Sequence, residues 1–197
     1  RRVNAIQNGE AIFSCSISFQ KREKGLSHQI KMPKIQGPEG LKSDLELRQN
    51  YKSKIPKDYL PMWLREREIE TRQVEPVDLL KAEKLPPYRS TWMRPTGKLP
   101  SDERIHQALL LYVSDMGLLG AAVNPHEVNF MSKKFQSASL DHVMWFHGKV
   151  NFNNWILHHM HSPISQNARG FSRGSIYTKS GKLLASTAQE GLMRIWD

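Results

Sequence analysis

The sequence predicts an α+β fold in which one long apolar helix is wrapped by a curled antiparallel sheet. Three observations carry this expectation. Across 101–116, Ile105, Ala108, Leu109, Tyr112, Val113 and Met116 recur at i, i+3, i+4, i+7, i+8 and i+11, the spacing of one helical face. Leu110 and Leu111 widen that face until the helix is apolar nearly all round and needs a cover. Long strand patterns then follow at 137–147, 154–161, 170–178 and 182–196, and Ser180-Gly181 offers a tight hairpin turn between the last two.

The elements can be justified in chain order. In 11–20, Ala11, Phe13, Cys15, Ile17 and Phe19 alternate with mostly serines, the pattern of a half-buried strand. From 21 to 84 the pattern dissolves into charges punctuated by Pro33, Pro38, Pro56, Pro61 and Pro76, which reads as a long linker holding a short helix near 43–51. A strand is expected at 88–93. Ser101, with Asp102 and Glu103 after it, starts the apolar helix, and Gly117 and Gly120 mark its end. Such a helix buries its surface only against the concave face of the sheet that follows, in outline a hot-dog layout.

Composition narrows the function. The chain has 197 residues, a size that buries roughly 70% of its unfolded surface and needs no disulfide or structural metal. Its lone Cys15 forbids an internal disulfide framework and suits a reducing intracellular compartment. The longest apolar run, 108–113, falls short of the about 18 residues of a membrane span. The net charge of +10 is spread: up to Glu75 there are 15 basic and 10 acidic residues, beyond it 14 and 9. With no nucleic-acid-binding motif, that basicity suits solubility or an anionic ligand rather than nucleic acid. The opening Arg1-Arg2-Val3 runs straight into strand pattern, so the chain is expected to lack its natural beginning. The final residues carry no peroxisomal tripeptide.

Three polar groups stand against the apolar pattern. Gln189 shares a strand face with Leu183, Ala185, Thr187, Gly191, Met193 and Ile195, where an unpaired amide would cost about 1–3 kcal/mol. Asp115 sits at the carboxyl end of the apolar helix, where burial and the helix dipole both oppose a negative charge. Ser139 opens Ser139-Leu140-Asp141-His142, inside a strand pattern that continues into Met144-Trp145-Phe146. Three such groups in one unit point to a site. The structural alternative is a Gln tying strands, an Asp capping a loop and a Ser facing water.

At these residues the chain resembles the acyl-CoA thioesterase II family of double hot-dog enzymes. The resemblance rests on Ser139-Leu140-Asp141-His142 with Trp145-Phe146-His147, on Ser162-Pro163, Ala168-Arg169-Gly170 and Ala188-Gln189-Glu190-Gly191, on Tyr112-Val113-Ser114-Asp115, and on Gln7-Asn8-Gly9 before Ile12-Phe13 and Ser18-Phe19-Gln20. It implies a hydrolytic triad of Asp115, Ser139 and Gln189 that holds the attacking water, with Asp141 and His142 supporting the strand. It also implies a fatty acyl-CoA substrate, no cofactor beyond the CoA of that substrate, self-association through hot-dog sheets, and a peroxisomal or cytosolic setting. On this resemblance 1–22 are the last strands of an incomplete hot dog, 23–83 a linker, and 84–197 a complete hot dog.

Other readings are weaker. A propeller blade matches 180–197 but occurs once, where a propeller needs several. Of His158, His159 and His161 only the last two share a strand face, so no metal site is expected. A Ser-His-Asp hydrolase lacks its Gly-x-Ser-x-Gly elbow. Enoyl-CoA hydration would use an Asp and His pair. The strongest rival is a hot-dog module that binds acyl-CoA without turning it over.

Overall fold

A computed structural model describes all residues except Leu79, Asn129, Met131 and Asp197. Asp197, the last residue of the expected carboxyl-terminal unit, therefore lies outside the described residues. The chain opens with an antiparallel hairpin, β1 (Arg2–Gln7) and β2 (Glu10–Ser16), turned at Asn8-Gly9. β2 is shorter than the strand expected at 11–20. Its apolar side chains Ile12 and Phe13, and Ile17 and Phe19 beyond it, are exposed rather than half-buried.

Two short helices follow, α1 (Asp44–Gln49) and α2 (Leu60–Trp63). α1 is the helix expected near 43–51 and starts in a capping box: Ser43 Oγ accepts from Glu46 N while Glu46 accepts from Ser43 N. The segment read as a linker is not all linker. β3 (Ile69–Gln73) pairs antiparallel with β4 (Tyr88–Pro95) at the edge of the main sheet. Its sequence, Ile-Glu-Thr-Arg-Gln, hides the strand because charge pairing holds it: Glu70 bridges Arg72 and Arg94 at 2.6 Å each, and both guanidiniums lie over the Trp155 ring. Further upstream, Met32, Ile35 and Leu41 pack on Trp92, Leu157 and Tyr177 from the side of the sheet away from the long helix.

That helix is α3 (Glu103–Ser114), capped by Asp102, whose carboxylate accepts from Arg104 N. Gly117, at φ +93°, takes the left-handed conformation and ends this first helix. The chain then forms α4 (Leu118–Val123), so Gly120 lies within a helix and does not mark an end. By length and composition the whole span Glu103–Val123 is apolar enough to cross a membrane, which the expectation built on 108–113 missed. Here Gly117 breaks the span, and Leu118, Ala121, Ala122 and Val123 are buried.

The face of α3 that is buried also differs from the expected one. His106, Leu110, Val113 and Ser114 are buried, whereas Ile105 and Tyr112, the latter 65% exposed, face outward. The apolar stripe runs nearly all round the helix, and polar groups with partners decide which side is inside. His106 bonds Pro100 O and accepts from Phe152 N, and Ser114 bonds Leu111 O.

The remaining strands are β5 (Phe135–Ser139), β6 (Val143–Phe146), β7 (Ile156–Gln166), β8 (Arg169–Thr178) and β9 (Leu183–Ile195). With β3 and β4 they form a seven-stranded antiparallel sheet in the order β3-β4-β7-β8-β9-β5, with β6 also pairing β9. The expected turn at Ser180-Gly181 is present, closed by Gly181 N donating to Thr178 O at 2.9 Å. α4 lies on the inner face, where Ser172 Oγ donates to Leu118 O and Gly170 and Gly191 approach Ala122 and Leu119. The expected hot-dog architecture, a curled antiparallel sheet around a long interrupted helix, is the one observed.

The strand expected at 137–147 is two strands with a bulge between them. Ser139 pairs Gly191 and Val143 pairs Ala188, so four steps along one chain oppose three on β9. Leu140 N and Asp141 N both point to Glu190 O, at 2.9 and 3.4 Å, and Glu190 N donates to Asp141 Oδ1 at 2.8 Å. The extra residue resets the alternation of side chains, which positions the site.

Candidate active site

The carboxyl end of α3, the end of β5 and the middle of β9 converge. Asp115 is the C-cap of α3, exposed to solvent, so water reaches its carboxylate and the burial expected from the sequence does not occur. Ser139 ends β5 beside it and donates from Oγ to Asp115 Oδ1 at 3.0 Å. Gln189, 2% exposed on the inner face of β9, donates from Nε2 to Ser139 Oγ at 3.1 Å. The three polar anomalies of the sequence therefore form one connected chain, with a buried amide at one end and a solvated carboxylate at the other.

The chain continues beyond the residues picked out from the sequence. Gln189 Oε1 lies 2.6 Å from His142 Nδ1, and His142 Nε2 lies 2.7 Å from Ser114 Oγ. On a regular strand, residues three apart such as Ser139 and His142 would point to opposite faces. The bulge brings both to Gln189. Asp141 and His142 part company: Asp141 braces the backbone of Glu190, which also pairs with Arg169 at 3.1 Å, so these motif residues fasten the bulge.

Donor and acceptor counting fixes the direction of the chain. Ser139 has one hydrogen and gives it to Asp115, so its oxygen accepts from Gln189. One hydrogen of the Gln189 amide remains unused among the described residues, as does Asp115 Oδ2. A carboxylate oxygen open to solvent, a hydroxyl and an amide N–H around one spot can bind a water, take its proton and donate to a developing oxyanion.

The histidines of β7 do not gather. His158 is fully buried on the inner face against Thr187, while His159 bonds Ser90 from the opposite face. Among the described residues, no group of three or more His, Cys, Asp or Glu is placed to hold a metal ion.

Comparison with known proteins bears on this geometry. The model of the acyl-CoA thioesterase family matches residues 63–192. This chain belongs to the acyl-CoA thioesterase family. Within that family it is 35% identical over 192 residues to acyl-CoA thioesterase 2 of Haemophilus influenzae, covering 98% of this chain and 67% of the relative. It is also 35% identical over 207 residues to acyl-coenzyme A thioesterase 8 of Mus musculus, covering 99% and 63%. The chain thus spans about two thirds of the length of these relatives. Among solved structures, acyl-CoA thioesterase II TesB2 from Mycobacterium marinum superposes with a TM-score of 0.74 at 32% identity, over 100% of this chain and 68% of that one. A hot-dog protein of unknown function from Alicyclobacillus acidocaldarius shares the fold at a TM-score of 0.72 and 17% identity, over 100% and 67%.

Proposed function

We propose that this chain hydrolyses the thioester of fatty acyl-CoA, giving a fatty acid and free CoA, with Asp115, Ser139 and Gln189 as the catalytic residues. The observation that carries the reading is the position of Ser139 Oγ between Asp115 Oδ1 and Gln189 Nε2. A water held by this trio attacks the thioester carbonyl carbon. Asp115 Oδ2 takes the water's proton, the Gln189 amide stabilises the oxyanion, the carbon–sulfur bond breaks, and the proton passes to the departing sulfur. Water is the nucleophile, so the serine stays unacylated. The net charge of +10 attracts the CoA phosphates.

The names of the relatives support the thioesterase reading, and that of a yeast relative, peroxisomal acyl-coenzyme A thioester hydrolase 1, supports a peroxisomal setting. We assign β1 and β2 to the last strands of a further hot dog, since their apolar side chains are left open here. Self-association through the sheet suits the exposed Val143 and Trp145 of β6, the latter 52% exposed. The function is tested by following free thiol with a series of acyl-CoA esters from short to long. Release from at least one ester is expected, and the profile sizes the acyl pocket. Binding of an ester without thiol release would refute hydrolysis and leave a binding module.

A further inference from the structure

We infer that His142, backed by Ser114, is a positioning residue that fixes the orientation of the Gln189 amide. The inference rests on the reading of Asp115, Ser139 and Gln189 as a hydrolytic site and adds to it a part that none of the three can supply. A glutamine amide has two ends of similar shape and opposite hydrogen-bonding character. Only one orientation serves the site. With nitrogen toward Ser139, the amide leaves Ser139 free to donate to Asp115 and offers its second hydrogen to the reaction. With oxygen toward Ser139, it would draw the serine hydrogen away from Asp115 and leave no donor for the oxyanion.

The choice between the two is made on the far side of the amide. Gln189 is buried, so water cannot satisfy its oxygen, and the polar atom beside that oxygen is His142 Nδ1 at 2.6 Å. An amide oxygen accepts only, so Nδ1 must carry a hydrogen. The other ring nitrogen, Nε2, meets Ser114 Oγ at 2.7 Å, and Ser114, 0% exposed, lies equally 2.7 Å from Leu111 O. Ser114 has one hydrogen: when it donates to Leu111 O, Nε2 donates to Ser114 Oγ, and when it turns to Nε2, the bond to Leu111 O is given up. Nδ1 holds its hydrogen in both, so Gln189 is held the same way whatever the charge on His142. The bulge at 140–142 is what makes this contact possible, since it turns His142 to the same amide that Ser139 meets. Among the described residues, the hydrogen-bond partners of the His142 ring are Gln189 and Ser114.

The test compares two substitutions. His142→Leu removes the donor, and kcat for acyl-CoA hydrolysis is expected to fall about 10–100-fold with KM within about twofold, the scale of an unsatisfied buried acceptor. His142→Asn places an amide N–H near the Nδ1 position and is expected to recover most of that loss. In the parent protein, nitrogen-15 NMR should show His142 Nδ1 protonated at neutral pH, a readout that also serves if His142→Leu fails to fold. An unprotonated Nδ1, an unchanged kcat in a folded His142→Leu, or a His142→Asn as impaired as His142→Leu would overturn the inference. Asp115→Asn, assayed alongside, separates the two claims. If Asp115→Asn is inactive and His142→Leu is fully active, only the positioning role fails. If Asp115→Asn is fully active, the site itself is wrongly assigned.

Discussion

His158 should lower folding stability by about 1.4 kcal/mol for each pH unit below 6.5, one proton's worth of slope. His158 is fully buried in β7, its Nδ1 has no hydrogen-bond partner among the described residues and its Nε2 meets Thr187 Oγ1 at a long 3.3 Å. Burial pushes its pKa from 6.5 down to about 3, and the neighbouring His142 and His159 push the same way. The unfolded chain therefore takes up a proton near pH 6.5 while the folded chain refuses it until about pH 3. Stability is fully present above 6.5 and is lost progressively between those values. The check is urea unfolding at several pH values from 7 to 4 for the parent and His158→Met. The variant should show the shallower slope by about one proton. Equal slopes would mean that the buried ring is not the group that resists acid. His159, which burial also shifts down, adds to the slope of both proteins alike.

Gly174→Ala should be the most damaging single methyl group in the sheet. A Cβ there would lie 2.2 Å from His158 Nε2 and 2.4 Å from Thr187 Oγ1, closer than packed atoms approach. Both obstacles are buried side chains between β8 and the inner face of β7 and β9, so relief requires the ring or a strand to shift. Overpacking of this kind costs about 1–3 kcal/mol, and at this chain length that lowers Tm by about 2–12 °C. The mechanism is specific and can be isolated. In a His158→Ser background the same substitution should cost clearly less, because the ring is gone. Additive effects in that double-mutant cycle would place the strain elsewhere.

The sequence carried the architecture because apolar periodicity is strong where the sheet wraps the helix. β7, β8 and β9 fall close to their expected places, as does the turn at Ser180-Gly181. It carried less where polar pairing replaces apolar burial. β3 is held by Glu70, Arg72 and Arg94 against Trp155, a pattern indistinguishable from linker composition. The buried face of α3 was misplaced because that helix is apolar on several sides, and His106 and Ser114, polar residues with partners, turned out to be inside. For the site, Asp115, Ser139 and Gln189 were each legible as a polar residue out of place. His142 was not, since strict alternation along a strand sends it to the opposite face from Ser139. Only the pairing of Ser139 with Gly191 and of Val143 with Ala188 reveals the bulge that corrects the alternation. The signal in the sequence was the polar Asp141-His142 pair interrupting an apolar strand.

In the proposed hydrolysis Asp115 is the group that takes the proton of the attacking water. Its most direct test is steady-state thiol release from acyl-CoA by the parent and by Asp115→Asn, which keeps the side chain's shape and removes its basic oxygen, with circular dichroism to establish that both are folded. The prediction is a kcat about 10²–10⁴-fold lower in Asp115→Asn with KM little changed, the scale of general-base assistance. A folded Asp115→Asn that releases thiol at the parental rate would contradict it.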